Sequence, residues 1–376
     1  MGYYDSIRNP ESFKKAAVAE HMENFRDMFQ LGRCPTAVSE WGRRQLFASR
    51  AICTVPKQQL SLLKHYLPND PNVHPCIEHL ISGYGADFNL EMSEPEIVRR
   101  CQPDSLAYVW TALIKLLRAA SNVLSVAPER PQRIRSRPAE YDEFVSSENM
   151  QIGSSSPQRP DSAQASISSL GFVQGLSAPL LEDATVRLAS CFTRCVLNYG
   201  QPLNKSSPFI QYRDERQTYS YDTPTHTLVR ATDDGGLQLF DGEDMKQVAM
   251  VEGKRNFKVT INGEPVVSDE VLAQLVGEAL AIRRHEMTQN ISEEDIVTIF
   301  AVTHHFKFFH FKIDEGFIDK YEYLSMEDAE TFMMVDSTSW FDINVPEHRK
   351  QIVSHIMGLM AWADNKQSPV DLDMDI

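Results

Sequence analysis

The sequence predicts an α/β (α+β) protein: a mixed central sheet flanked by helices, preceded by an all-helical N-terminal module. Three observations predict it. Residues 11–126 carry apolar side chains at helical spacing, cut into short pieces by Pro35, Pro56, the Pro68-Asn69-Asp70-Pro71 run and Pro103. Residues 127–170 lose that pattern and fill with Pro, Ser and Arg. From 171 onward the order is helix, three or four strands, helix, two strands, helix.

In the first module, Phe13, Ala16, Ala17, His21, Phe25 and Phe29 open an amphipathic stretch. Helices are expected over Glu40–Ala51, Gln58–Tyr66, Pro75–Ser82 and Leu106–Val126. In the last of these, Leu106, Val109, Trp110, Leu113, Leu116 and Leu117 form an apolar stripe. The segment 127–170 reads as a disordered linker, because its composition cannot bury enough apolar surface to fold. Its Arg130, Arg133, Arg135 and Arg137 fit a solvated linker better than an import signal or a nucleic-acid contact. Ser156-Pro157 offers a phosphorylation site without further support.

The second module, 171–376, begins with a helix over Pro179–Tyr199. Strands are expected over Phe209–Tyr221, Thr227–Ala231, Leu237–Phe240, Val248–Glu252 and Phe257–Ile261, with turns at Asp233-Asp234-Gly235-Gly236 and Asn262-Gly263. Ser268–His285 reads as a helix capped by Ser268 or Asp269. Ile296–Val302 and Phe306–Ile313 read as strands, and Glu347–Ala363 as a closing helix.

The chain of 376 residues is 42% hydrophobic, enough for real cores and, at roughly 100–200 residues per domain, for two domains. No apolar run approaches the ~20 residues that cross a bilayer, and no signal peptide opens the chain. An intracellular protein is expected, nuclear or cytoplasmic, without a membrane partner. Residues 1–170 balance their charges, so the net charge of −15 falls wholly in residues 171–376. Such a surface repels phosphate backbones unless a local basic patch or bound cations intervene. The six cysteines form no C-x-x-C and read as reduced thiols. His74-Pro75-Cys76-Ile77-Glu78-His79 matches no zinc-finger spacing, and Cys191 and Cys195 fit core packing on one helix face.

The pointed feature is Val248-Ala249-Met250-Val251-Glu252-Gly253-Lys254, an apolar strand ending in a carboxylate and an ammonium two residues apart. In a strand these two face the same side. With a second carboxylate from the neighbouring strand they can hold Mg²⁺ and orient a nucleophile for phosphodiester hydrolysis.

On these residues the chain resembles the PD-(D/E)XK (restriction endonuclease-like) superfamily, in particular nuclease-like domains of filamentous fungal proteins. The resemblance covers about residues 179–313: a leading helix with Glu182, the Pro224–Arg230 strand, the Glu252-Gly253-Lys254 strand end, and the helix with Gln274 and Glu278. It implies a restriction endonuclease-like fold and a metal-dependent nuclease acting on DNA or RNA. Catalytic residues would be Asp222, Glu252, Lys254 and Gln274, with Mg²⁺ or Mn²⁺ held by Glu182, Asp222 and Glu252. Thr225 stands where the family aspartate follows the proline, so Asp222 is the expected substitute, with Asp233 and Asp241 as alternatives.

Plainer readings stand beside these. Glu252 and Lys254 fit a solvent-exposed ion pair, Gln274 a polar surface position, and Glu182 a residue favoured by the helix dipole. His304 and His310 read as packed or edge histidines. Phe306, Phe308, Phe309 and Phe311 read as a buried sheet face before a base-stacking platform. Two alternative functions follow: a catalytically degenerate copy of the fold serving as a protein-interaction or regulatory module, and a helical adaptor binding a protein partner through residues 11–126.

Overall fold

The computed structural model describes residues 2–71, 73–85, 88–125, 178–261, 264–325 and 331–367. The linker expected at 127–170, with its arginines and Ser156-Pro157, lies outside the described residues.

The N-terminal segment comprises α1 (Tyr3–Ser6), α2 (Pro10–Ala19), α3 (Phe25–Gln30), α4 (Arg43–Ala48), β1 (Ala51–Cys53), α5 (Pro75–Ser82), α6 (Glu94–Arg100) and α7 (Asp104–Ser125). Local chemistry sets the helix starts. Asn9 and Ser12 cap α2 reciprocally, with Pro10 at the first helical position. His74 caps α5: its Nδ1 accepts from the Cys76 amide at 3.1 Å, and its ring lies against Tyr199.

This segment is not all-helical. Ala51, Ile52 and Cys53 are fully buried and run parallel to Met333–Val335 at one edge of the main sheet. Arg50 adopts a left-handed backbone (φ 51°) that ends α4 and turns the chain into the strand. The helix expected over Gln58–Tyr66 contracts to a 3₁₀ turn at Ser61–Leu63.

The remaining elements are α8 (Ala178–Gly200), β2 (Phe209–Arg213), β3 (Thr218–Asp222), β4 (Leu228–Thr232), β5 (Gly235–Asp241), β6 (Asp244–Lys254), β7 (Val259–Ile261), β8 (Glu264–Val266), α9 (Asp269–Arg284), β9 (Asp295–Val302), β10 (His305–Lys312), α10 (Glu315–Ile318), β11 (Met333–Ser337), β12 (Phe341–Asp342) and α11 (Pro346–Gln367). The main sheet has eight strands in the order β1-β11-β10-β9-β6-β5-β2, with β12 also on β10. It is mixed: β2, β5 and β6 pair antiparallel, β6 and β9 parallel, β9 and β10 antiparallel. The parallel pair is joined through α9, as such a crossover requires. The single strand expected over Phe209–Tyr221 is two: β2 joins the main sheet, whereas β3, among the described residues, pairs with β4 alone in a separate hairpin.

Two apolar cores sandwich the sheet. On one face, Leu106, Trp110 and Leu113 of α7, Leu188 and Phe192 of α8, and Ile352 and Ile356 of α11 pack on Val251, Ile299, Phe306 and Phe308. On the other, α9 packs on Met250, Phe300, Phe309 and Phe311 together with Tyr3, Phe13, Phe25, Trp41 and Phe47 of the N-terminal helices. Every residue of α9 from Leu272 to Ile282 is buried, Gln274 and Glu278 among them, as befits a helix covered on all sides. The N-terminal helices are therefore built into both cores. Tyr3 seals the junction, its amide donating to Asp269 at 2.6 Å and its hydroxyl to the Ala51 carbonyl at 2.6 Å.

Candidate active site

The site lies at the C-terminal end of β6. Alternation sends Met250 to the α9 face and Val251 to the α8 face. Glu252 accordingly meets α9, where Gln274 donates to it. Gly253 points at α8, where a Cβ would lie 2.6 Å from Val186 Cγ2, so only glycine lets β6 pass this close. That close passage brings Glu182, one helical turn before Val186, within electrostatic reach of Lys254.

Glu252 is 1% exposed. Its Oε1 accepts from Lys254 Nζ at 2.5 Å and from Gln274 Nε2 at 2.7 Å. The same Gln274 nitrogen donates to Glu278 Oε1 at 2.8 Å, so it spans the two carboxylates. The second oxygens, Glu252 Oε2 and Glu278 Oε2, are buried with no hydrogen-bond partner among the described residues. Two orphaned carboxylate oxygens in one cluster are costly unless a cation or a proton meets them.

Asp234 completes the cluster from β5. The ladder pairs Gly235 with Val251, and Asp234 stands one step before that pair. Its amide donates to the Val251 carbonyl at 3.1 Å, its Oδ2 accepts from the Gly253 amide at 3.0 Å, and its Oδ1 pairs with Arg216 at 3.0 Å.

The electrostatics follow from burial and crowding. Desolvation raises the Glu252 carboxyl, Asp234 and Glu182 add to the rise, and the Lys254 ammonium only partly opposes them. Glu278 is raised well above its ordinary value by burial and then by Glu252. Glu182 is raised by burial, held back by Lys254, Arg216 and Arg255. Burial pulls Lys254 down, yet Glu252, Glu182 and Glu278 outweigh it and hold the ammonium above its ordinary value. Glu252, Glu182 and Glu278 act together on the Lys254 ammonium, while Asp234 is paired with Arg216; among the described residues their oxygens do not all lie within 4.8 Å of one another.

The site residues expected from sequence separate into two groups. Glu252, Lys254 and Gln274 are joined by hydrogen bonds, and Glu182 lies within electrostatic reach of Glu252 and Lys254. Glu252 is not in a solvent-exposed ion pair, and Gln274 is not at the surface, being 6% exposed. Asp222 does not join them. It ends β3 in the separate hairpin, exposed, with its backbone carbonyl accepting from Arg284 at 2.8 Å. Thr225 lies in the turn of that hairpin, its hydroxyl bonded to those of Thr223 and Thr227. Asp233 is fully buried and structural, accepting from Arg213, Tyr219 and the Gln217 amide. Asp241 sits at the opposite end of β5, bonded to Ser207 and Gln367.

Asp234 escapes sequence reading because of a bulge. Counted back from the Asp241↔Asp244 pair at the hairpin turn, Glu252 falls opposite Asp233. The ladder shifts by one residue between Leu237 and Gln238, which moves Asp234 into that place. The Asp233-Asp234-Gly235-Gly236 run reads as a turn, but Gly235 and Gly236 belong to β5 itself, Gly235 with a φ of +148° that lets the chain bend into the strand.

His310 pairs with Asp295 at 3.0 Å, and the four phenylalanines of β10 are fully buried, Phe306 and Phe308 on one face and Phe309 and Phe311 on the other. No protein-family model, curated protein or solved structure matches the chain.

Proposed function

We propose that the chain is a metal-dependent phosphodiesterase acting on nucleic acid, with Asp234 rather than Asp222 beside Glu252 and Lys254. The observation that carries this reading is the convergence of Asp234, Glu252 and Lys254 from adjacent strand ends, with Glu252 Oε2 left without a partner. The reading is supported by the order α8, then the antiparallel β2–β5–β6 set, α9 and the parallel β9, with the β3–β4 hairpin inserted, which agrees with the helix, meander, helix, strand order of the PD-(D/E)XK families that the sequence resembles.

The donors fit a hard divalent cation. All are carboxylate oxygens, and Glu252, Asp234 and Glu182 are the residues that would hold Mg²⁺ or Mn²⁺. Bound there, the ion supplies water activation at neutral pH and charge neutralisation at a phosphate. Lys254 keeps its proton at neutral pH, so it orients the nucleophile and stabilises charge rather than abstracting a proton. Gln274 restrains the Glu252 carboxylate by donating to Oε1, leaving Oε2 without a partner among the described residues. Arg216 caps Asp234 from a 42% exposed position.

The test is a cleavage assay on labelled single- and double-stranded DNA and RNA with Mn²⁺ or EDTA, run beside a Lys254→Ala twin. Metal-dependent cutting that disappears in the twin supports the reading. Equal cutting by both removes it.

A second reading rests on the near-complete burial of Glu252 and Glu278, each 1% exposed, together with the acidic excess of residues 171–376. In it the fold is catalytically degenerate and serves as a protein-interaction or regulatory module. Calorimetric titration with Mn²⁺ separates the two: heat lost on Glu252→Gln belongs to the first reading, and no heat from folded protein belongs to the second.

A further inference from the structure

We propose that His304, His305 and Asp342 form a second site, for one divalent first-row transition-metal ion of the Zn²⁺ class. It is separate in composition from the all-carboxylate cluster at Glu252 and does not depend on the reading of that cluster.

The three residues come from a turn and one ladder. Val302 and His305 pair across the β9–β10 hairpin, leaving Thr303 and His304 as its two-residue connection. His305 pairs with Asp342 across β10 and β12. The donor atoms of all three lie within 4.8 Å of one another, the one such histidine, cysteine or carboxylate group among the described residues. His304 Nε2 is 3.6 Å from Asp342 Oδ1, and His305 Nε2 is 4.0 Å from Asp342 Oδ2. These gaps are too long for hydrogen bonds. They are close to the ~3.4 Å that separates two ligands on bonds of about 2.1 Å at a tetrahedral angle.

The backbone holds the donors in place. The Ile343 amide donates to the His304 carbonyl at 3.0 Å, and the Asn344 amide to Asp342 Oδ1 at 2.8 Å, fixing the carboxylate from behind. The His305 ring is buried, packed edge-on to Phe257 with centroids 5.2 Å apart and against His304 at 4.3 Å. Thr303 adopts a left-handed backbone (φ 53°), a conformation that β-branched residues avoid. Strain of that kind persists where the surroundings over-determine a turn, and here it presents His304 to Asp342. The Asp342 side chain is 27% exposed and that of His305 16%, so an ion can reach the three donors from solvent.

Two imidazoles and one carboxylate suit Zn²⁺, Co²⁺ or Fe²⁺ rather than Mg²⁺. An ion there would clamp the β9–β10 turn to β12. That turn also touches the Glu252 site, since the Thr303 amide donates to the Lys254 carbonyl at 3.3 Å.

The experiment is titration of the metal-stripped full chain with Co²⁺, read by visible d–d absorption, followed by displacement with Zn²⁺. Variants Asp342→Asn, His305→Ala and Glu252→Gln are run in parallel, each checked for its native far-ultraviolet spectrum. The expected result is nitrogen–oxygen ligand bands that saturate at one equivalent of Co²⁺, are retained in Glu252→Gln and are lost in Asp342→Asn and His305→Ala; Co²⁺ held by the Glu252 carboxylates adds only weak oxygen-ligand absorption. The isosteric Asp342→Asn keeps the test sound should His305→Ala fail to fold. No d–d band at stoichiometric Co²⁺, an unchanged band in Asp342→Asn, or loss confined to Glu252→Gln would each overturn the proposal.

Discussion

Asp234 is held beside Glu252 by the backbone between them: its Oδ2 accepts from the Gly253 amide at 3.0 Å, and its own amide donates to Val251 at 3.1 Å. The two acidic residues are thus tied to one short stretch of β6 and cannot move apart without breaking the ladder. Everything proposed for the site depends on that tie.

Gly253 controls how closely β6 approaches α8. In Gly253→Ala the new Cβ meets Val186 Cγ2 at 2.6 Å, and the strand or the helix must shift. A loss of about 1–3 kcal/mol in urea unfolding is expected, as for overpacked cores. Adding Val186→Ala should recover part of it. A fully tolerated single substitution would show that the close passage is not what selects glycine.

Glu278 makes stability depend on pH. Its folded carboxyl is raised by burial and by Glu252, so above the ordinary carboxylate range the unfolded chain ionises freely while the folded chain resists. Its contribution is complete below pH ~4.5 and is lost as pH rises through the folded value. In Glu278→Gln this loss is absent, so the variant gains on the wild type as pH rises. Melting curves from acid to mild alkali check it; a constant gap contradicts it.

Lys307 should act in the opposite sense. It is 1% exposed, donates to the Thr338 carbonyl, and lies over the rings of Tyr4, Phe309 and Trp340 at 5.3, 5.6 and 5.5 Å. Desolvation, aided by Arg8, pulls its ammonium down to about 7. Between there and its ordinary value the unfolded chain binds a proton that the folded chain does not, so stability rises with pH across this window. Lys307→Met is expected to exceed the wild type at pH 7 and to lose that advantage towards pH 10, at about 1.4 kcal/mol per unit of pKa difference. A pH-independent difference between the two would refute it.

The N-terminal helices are expected to be indispensable. Tyr3, Phe13, Phe25, Trp41 and Phe47 are buried against α9, and β1 supplies an edge strand. Deletion of residues 2–53 should leave a protein without near-ultraviolet circular dichroism. A cooperatively unfolding fragment lacking them would show that the rest of the chain folds without these helices.

Long periodic elements were legible. The Leu106–Leu116 stripe places α7, Ser268 caps α9 by accepting from the Val271 amide, and the apolar run to Glu252 places β6. Short ones were not. Ala51–Cys53 and Phe341–Asp342 are too brief for alternation to register, and Phe209–Asp222 hides a change of sheet between Arg213 and Thr218. Of the site, the Glu252–Lys254 spacing and the Gln274 helix could be read because both lie within single elements. Asp234 could not, since its position depends on a cross-strand register that a bulge displaces.

A Mn²⁺ titration followed by electron paramagnetic resonance, comparing wild type, Asp234→Asn and Asp222→Asn, decides whether Asp234 is a metal ligand. The account predicts one bound Mn²⁺ in the wild type, unchanged in Asp222→Asn and weakened at least ~100-fold in Asp234→Asn, beyond what loss of a supporting group would cause. Equal binding in the wild type and Asp234→Asn, or loss confined to Asp222→Asn, would contradict it.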